Sequence, residues 1–155
     1  MRRALAITLI AIAYGSIARA QSLDQQERCA QQAKRAYAET EAEFEAYNRA
    51  RTQKTVRFSG DYQSHYNVKL GKCLMLVETY DMIDSQSITT AYVTAYVRDA
   101  NEHRQYANYL WISKEGKKYW EVQPMGCELT PSLREKRFCK TREEFDEFVA
   151  PYMEE

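Results

Sequence analysis

The chain is poor both in the residues that build most hydrophobic cores and in those that mark most active sites. It has five Gly, three Pro and two His in 155 residues. No C-x-x-C is present, so a thioredoxin-like redox role lacks its motif. The four Cys lie too far apart for a zinc knuckle, and neither His is placed to complete one, so no metal site is read. There is no G-x-S-x-G, no EF-hand loop, no phosphate-cradling Gly loop and no dinucleotide fingerprint, so no cofactor is implied. After residue 20, Leu, Ile, Val and Phe number only 22 of 135. That share is close to the composition of disordered chains. Opposing disorder are 11 Tyr, both Trp and all four Cys in the same stretch. The expected core is therefore aromatic rings and Ala, stapled by disulfides, with each ring hydroxyl or indole N–H needing a partner.

The first 20 residues read as a secretory leader. Arg2 and Arg3 precede an apolar run from Ala4 to Ala13, and Ala18-Arg19-Ala20 supplies a small-x-small cleavage site. The apolar run is shorter than the ~20 residues a membrane-spanning helix needs. Cleavage after Ala20 leaves residues 21–155 as one exported domain, periplasmic or secreted and not membrane-spanning. The leader carries three Arg and no acid, so 19 bases remain against 22 acids. A net charge of −3 argues against nucleic acid or an anionic membrane surface as the main partner.

An even number of Cys in a small exported domain implies disulfides, and four allow three connectivities. We expect Cys127–Cys139, which closes a short Pro-containing loop, and Cys29–Cys73, which ties the N-terminal helix to the start of the sheet. On the loop-entropy view they contribute roughly 3 and roughly 4 kcal/mol.

Residues 22–52 read as one helix with no internal Gly or Pro. Ser22 to Gln25 fits a capping box, and Cys29, Ala33, Tyr37, Thr40, Phe44 and Tyr47 form one face. Residues 57–70 fit a short strand or a helical turn. Cys73 to Val77 is a continuous apolar run, as in a well-covered central strand. Residues 90–98 alternate Tyr92, Thr94 and Tyr96 against small aliphatics. Further strands are expected at 104–113 and 118–122, joined by a hairpin turn at Lys114–Lys117. Thr141 to Glu144 repeats the capping box before a C-terminal helix with Phe145, Phe148, Val149 and Tyr152 on one face. The expected fold is α+β: a long N-terminal helix, an antiparallel meander of about four strands and a C-terminal helix, with both helices on one sheet face.

The stretch His65-Tyr66-Asn67-x-Lys69-Leu70-x-x-Cys73 and the ending Cys139-x-Thr141-x-Glu143-Glu144-Phe145 resemble an uncharacterised group of small exported bacterial proteins. The resemblance implies export and paired cysteines and carries over no catalytic residue.

Three clusters hold what chemistry there is. His65, Tyr66 and Asn67 form a polar group able to bind a ligand, with His65 a proton carrier near neutral pH, or else able only to fix a turn. Glu78, Asp81 and Asp84 are a tight acidic group, read as a solvated strand end, as the carboxylates of a sugar hydrolase or as weak calcium ligands. The aromatic strands, with Tyr92, Tyr96 and Trp111 as the candidate binding residues, divide their rings between both sheet faces and leave some exposed. Exposed Tyr and Trp favour sugar or protein contact. The leading expectation is a non-enzymatic domain binding an envelope or extracellular protein or glycan. The alternative is a small cell-wall or sugar hydrolase using His65 or an acid of the 78–84 group.

Overall fold

A computed structural model describes the backbone of residues 3–50, 55–85, 88–132 and 135–154, and side chains from residue 23 onward apart from 84–88. Helix α1 (Arg3–Arg49) leads into β1 (Thr55–Asn67), β2 (Lys72–Ser85), β3 (Ile88–Asp99) and β4 (Gln105–Ile112). A 3-10 turn at Tyr119–Glu121 precedes β5 (Gly126–Ser132), β6 (Glu135–Phe138) and helix α2 (Arg142–Met153). The strands form one antiparallel sheet in the order β1-β2-β3-β4-β5-β6. The α+β class and the meander are as expected, but the described residues contain six strands rather than about four. Side chains of the expected leader, residues 1–20, lie outside the described residues, as does the backbone of residues 51 and 52 at the expected helix end.

Three strands are gained and one expected strand is lost, each with an identifiable cause. The ambiguous 57–70 stretch becomes β1 because it pairs with β2 over its whole length, from Thr55↔Ile83 to Asn67↔Lys72. The hairpin between them closes at Gly71, whose φ of 63° lies in the left-handed region that suits Gly, while the Leu70 N–H donates to Asn67 Oδ1 at 3.0 Å. The Pro-containing stretch around Cys127, expected as a loop, is the β5–β6 hairpin. Residues 118–122, expected as a strand, are instead mostly the 3-10 turn. The Lys118 N–H donates to the Glu121 carboxylate at 2.8 Å, the Glu121 N–H returns to the Lys118 carbonyl, and β4 pairs with β5 instead.

The helices cover opposite faces of the sheet, which corrects the expectation that both lie on one. Alternation along β2 shows why. Cys73, Met75 and Val77 pack against Cys29, Ala33 and Ala36 of α1. Leu74 and Leu76 point the other way, into a cluster with Tyr109, Trp111, Leu129, Phe145 and Val149. A strand apolar on both sides needs cover on both. The small residues of α1 let its backbone approach the sheet closely. The helix face continues to Asn48 rather than Tyr47, following the 3.6-residue period. Asn48 both donates to the Thr55 carbonyl at 2.6 Å and accepts the Thr55 N–H at 3.2 Å, fastening α1 to β1.

Both expected disulfides are present. Cys29–Cys73 joins α1 to β2 with a Cα separation of 5.2 Å, and Cys127–Cys139 joins β5 to the approach of α2 at 5.1 Å. No helix among the described residues is long and apolar enough to cross a membrane.

Candidate functional site

The three neighbours His65, Tyr66 and Asn67 do not converge on a ligand site, because successive strand residues face opposite ways. Tyr66 faces α1: Gln26 accepts its backbone N–H at 2.9 Å and donates to its carbonyl at 3.0 Å, and Gln25 donates to its hydroxyl at 3.3 Å. Asn67, 2% exposed, donates to the carbonyls of Pro151 and Tyr152 and so joins the β1–β2 turn to the end of α2. His65 is half-buried, and its Nε2 has no hydrogen-bond partner among the described residues.

The acidic group is also split by strand alternation. Asp81 faces α1 and is 7% exposed, accepting from Arg57 Nε at 2.8 Å and from Thr79 Oγ1 at 3.1 Å. Arg57 also pairs with Glu41 and lies 3.9 Å from the Phe44 ring centre. Glu78 is on the opposite face, paired with Arg142 of α2. These two carboxylates are mid-strand ion-pair partners rather than a solvated strand end, and they do not face each other as a hydrolytic pair would. The side chain of Asp84 lies outside the described residues. Among the described residues, no group of three or more His, Cys, Asp or Glu is gathered to hold a metal ion.

The aromatic residues divide between the faces, as alternation requires. Tyr92 and Tyr96 are half-buried on the α1 side, where burial pushes the Tyr96 hydroxyl above its ordinary range although Arg98 and Thr40 oppose this. Trp111 lies on the α2 side, 6% exposed, with its indole N–H donating to the Val122 carbonyl at 3.0 Å. It therefore offers core packing and little contact surface.

Among the rings that reach solvent, Tyr47, Phe58, Tyr80 and Phe138 lie elsewhere and two come from the 3-10 turn. Tyr119 is 41% exposed and Trp120 76% exposed. They line a cleft of about 680 Å³ between the turn and the N-terminus of α2. This cleft is firmly built. The Tyr119 ring lies against Trp111 at a centroid distance of 4.8 Å, and its hydroxyl shares a 2.9 Å hydrogen bond with that of Tyr109. Burial, then the bond to Tyr119, raises the Tyr109 hydroxyl well above its ordinary value, so Tyr109 stays neutral at physiological pH. Opposite them, Thr141 caps α2 by accepting the Glu144 N–H at 3.2 Å. The Glu144 carboxylate reaches back to the Lys140 N–H at 2.7 Å, one residue beyond the expected capping box. Cys139, held by Cys127, lies two residues before that cap and anchors this wall.

Arg142 forms the floor between α2 and the sheet. It pairs with Glu78 and Asp146 and lies over the rings of Tyr109 and Phe145 at 5.6 and 5.4 Å. Burial lowers its pKa, but the hydrogen bonds to Glu78 and Asp146 outweigh that and raise it, so its charge is permanent and already partnered. The sequence reading placed Tyr119 and Trp120 on a strand, where alternation would have separated them. The signal for the turn was Glu121, three residues after Lys118 and within reach of its N–H.

No protein-family model matches the chain, and no curated protein or solved structure matches it either.

Proposed function

We propose that this is an exported, disulfide-stapled domain that binds an envelope or extracellular component in the Tyr119–Trp120 cleft without transforming it. The observation that carries this reading is a Trp 76% exposed beside a cleft whose walls are fixed by a ring pair, a helix cap and a disulfide. Leaving a Trp in water forgoes the ~1.5–3 kcal/mol that burial of a large side chain gives, and binding recovers it. A rigid wall limits the ordering cost of association. Export, with cleavage after Ala20, is supported by the charged, apolar and small-residue order of the first 20 residues and by two disulfides, which persist in oxidising compartments. The resemblance to small exported bacterial proteins points the same way.

The test is retention on total envelope material of the protein expressed with its own leader and purified oxidised. Retention should be strong for wild type and at least about tenfold weaker for Trp120→Ala, since truncating a central Trp commonly removes more than ~1.4 kcal/mol. Equal retention of both proteins, or none of either, would overturn the reading.

A further inference from the structure

We infer that the occupant of this cleft is an uncharged oligosaccharide, a deepening that rests on the proposed binding role. Three observations select it. First, the shape is an open cleft: about 680 Å³ lies within the ~300–1,000 Å³ of small-ligand sites, whereas a protein partner needs a surface of ~800 Å² on each side.

Second, the ionic groups that line the cleft are of both signs, Lys140 and Arg142 against Glu121, Glu143 and Glu144, and three of these five are already committed to partners within the chain. Arg142 is held by Glu78 and Asp146, the Glu144 carboxylate by the Lys140 N–H, and the Glu121 carboxylate by the Lys118 N–H. Lys118 Nζ stands 5.2 Å from the Trp120 ring centre. An anionic ligand would have to compete with Glu78 and Asp146 for Arg142 and would meet Glu121, Glu143 and Glu144, while a cation would meet Lys118, Lys140 and Arg142. A neutral ligand disturbs none of these pairs.

Third, the remaining chemistry suits a polyhydroxylated ring. The apolar C–H face of a pyranose stacks on a Tyr or Trp ring, and its rim of hydroxyls needs groups that both donate and accept. The cleft supplies the Trp120 ring, with Gln123 and the Thr141 hydroxyl among its lining groups.

Calorimetry and Trp fluorescence with the tetraoses of the cello-, malto- and chito-oligosaccharide series test this on the full oxidised protein, with polygalacturonate as the anionic comparison. At least one neutral tetraose should bind, with affinity changing less than about twofold between low and high salt because no ion pair forms. Trp120→Ala should lose about tenfold or more, and Trp120→Phe should restore most of that loss. The exposed position of Trp120 leaves the fold intact in both variants, which near-ultraviolet circular dichroism checks. The inference is overturned if no neutral tetraose binds, if binding survives in Trp120→Ala, or if only polygalacturonate binds. Trp120-dependent envelope retention without neutral-sugar binding would remove the saccharide and leave the cleft's binding role standing. Loss of both would remove both.

Discussion

Replacing Asp81 by Ala should be among the costlier single changes in this domain, and the structure says by how much. Asp81 is 7% exposed and accepts from Arg57 at 2.8 and 3.4 Å and from Thr79 at 3.1 Å. The Arg57 side chain is only 17% exposed, so its charge has limited access to water once the carboxylate is gone. Breaking a fully buried pair costs about 3–5 kcal/mol. Here Glu41 still faces the guanidinium and Arg57 keeps some solvent contact, so the expected loss is about 2–3 kcal/mol, including the unmet Thr79 hydroxyl. Replacing both partners, Arg57→Met with Asp81→Leu, removes the charge and its buried counter-ion and leaves only Glu41, whose side chain is 34% exposed to water. Well-packed apolar substitutes for a buried pair are often neutral, so the double variant should recover most of the loss, ending within about 1 kcal/mol of wild type. Urea unfolding followed by Trp fluorescence measures each member of the cycle, with an unchanged m-value required for the comparison. A loss below about 0.5 kcal/mol for Asp81→Ala, in the range of ordinary surface changes, would refute the reasoning. So would a double variant as unstable as the sum of the singles.

Three further outcomes are expected. Phe145→Ala empties a fully buried site beneath α2 and should cost about 3–5 kcal/mol in the same unfolding assay. Removing Cys127–Cys139 by paired Ser substitution should cost about 3 kcal/mol and removing Cys29–Cys73 about 4, because the second closes the longer loop; a reversed order in denaturant titrations would contradict the loop-entropy account. Burial and the bond to Tyr119 raise the Tyr109 hydroxyl above its unfolded value near 10, so its contribution to stability is complete below about pH 10 and lost as pH climbs toward the folded value. Stability measured against pH should therefore fall less steeply above pH 10 in Tyr109→Phe, after a loss of about 1 kcal/mol at neutral pH for the missing hydrogen bond.

Much of the fold was legible because the local signals were strong. The Thr141 cap, the helix read over 22–52, the alternation of 90–98 and the cysteine pairing all follow from neighbouring residues or from chain-closure entropy. That helix in fact runs on from Arg3 through Ser22, where a capping-box start was expected, and ends at Arg49. The 57–70 stretch was ambiguous because Tyr62, Tyr66 and Leu70 satisfy both periods, and pairing with β2 decides between them. The placement of the two helices was misread as one-sided, although the Cys73–Val77 run, apolar on both sides, calls for cover on both faces. The candidate site was harder to read. Trp111 and Trp120 are chemically the same signal in a sequence. One, on β4, is 6% exposed beneath α2, and the other, on a 3-10 turn, is 76% exposed.

By itself the sequence determined the class of structure, the staples and the scarcity of aliphatic core that makes tyrosines structural. These depend on composition, local period and spacing, which act along the chain. Only the tertiary structure decided which rings are buried, that His65, Tyr66 and Asn67 serve different neighbours, and that Glu78 and Asp81 stand on opposite faces. Those outcomes depend on strand register and on which helix covers which face. Contacts between residues dozens of positions apart set both, and no local pattern encodes them.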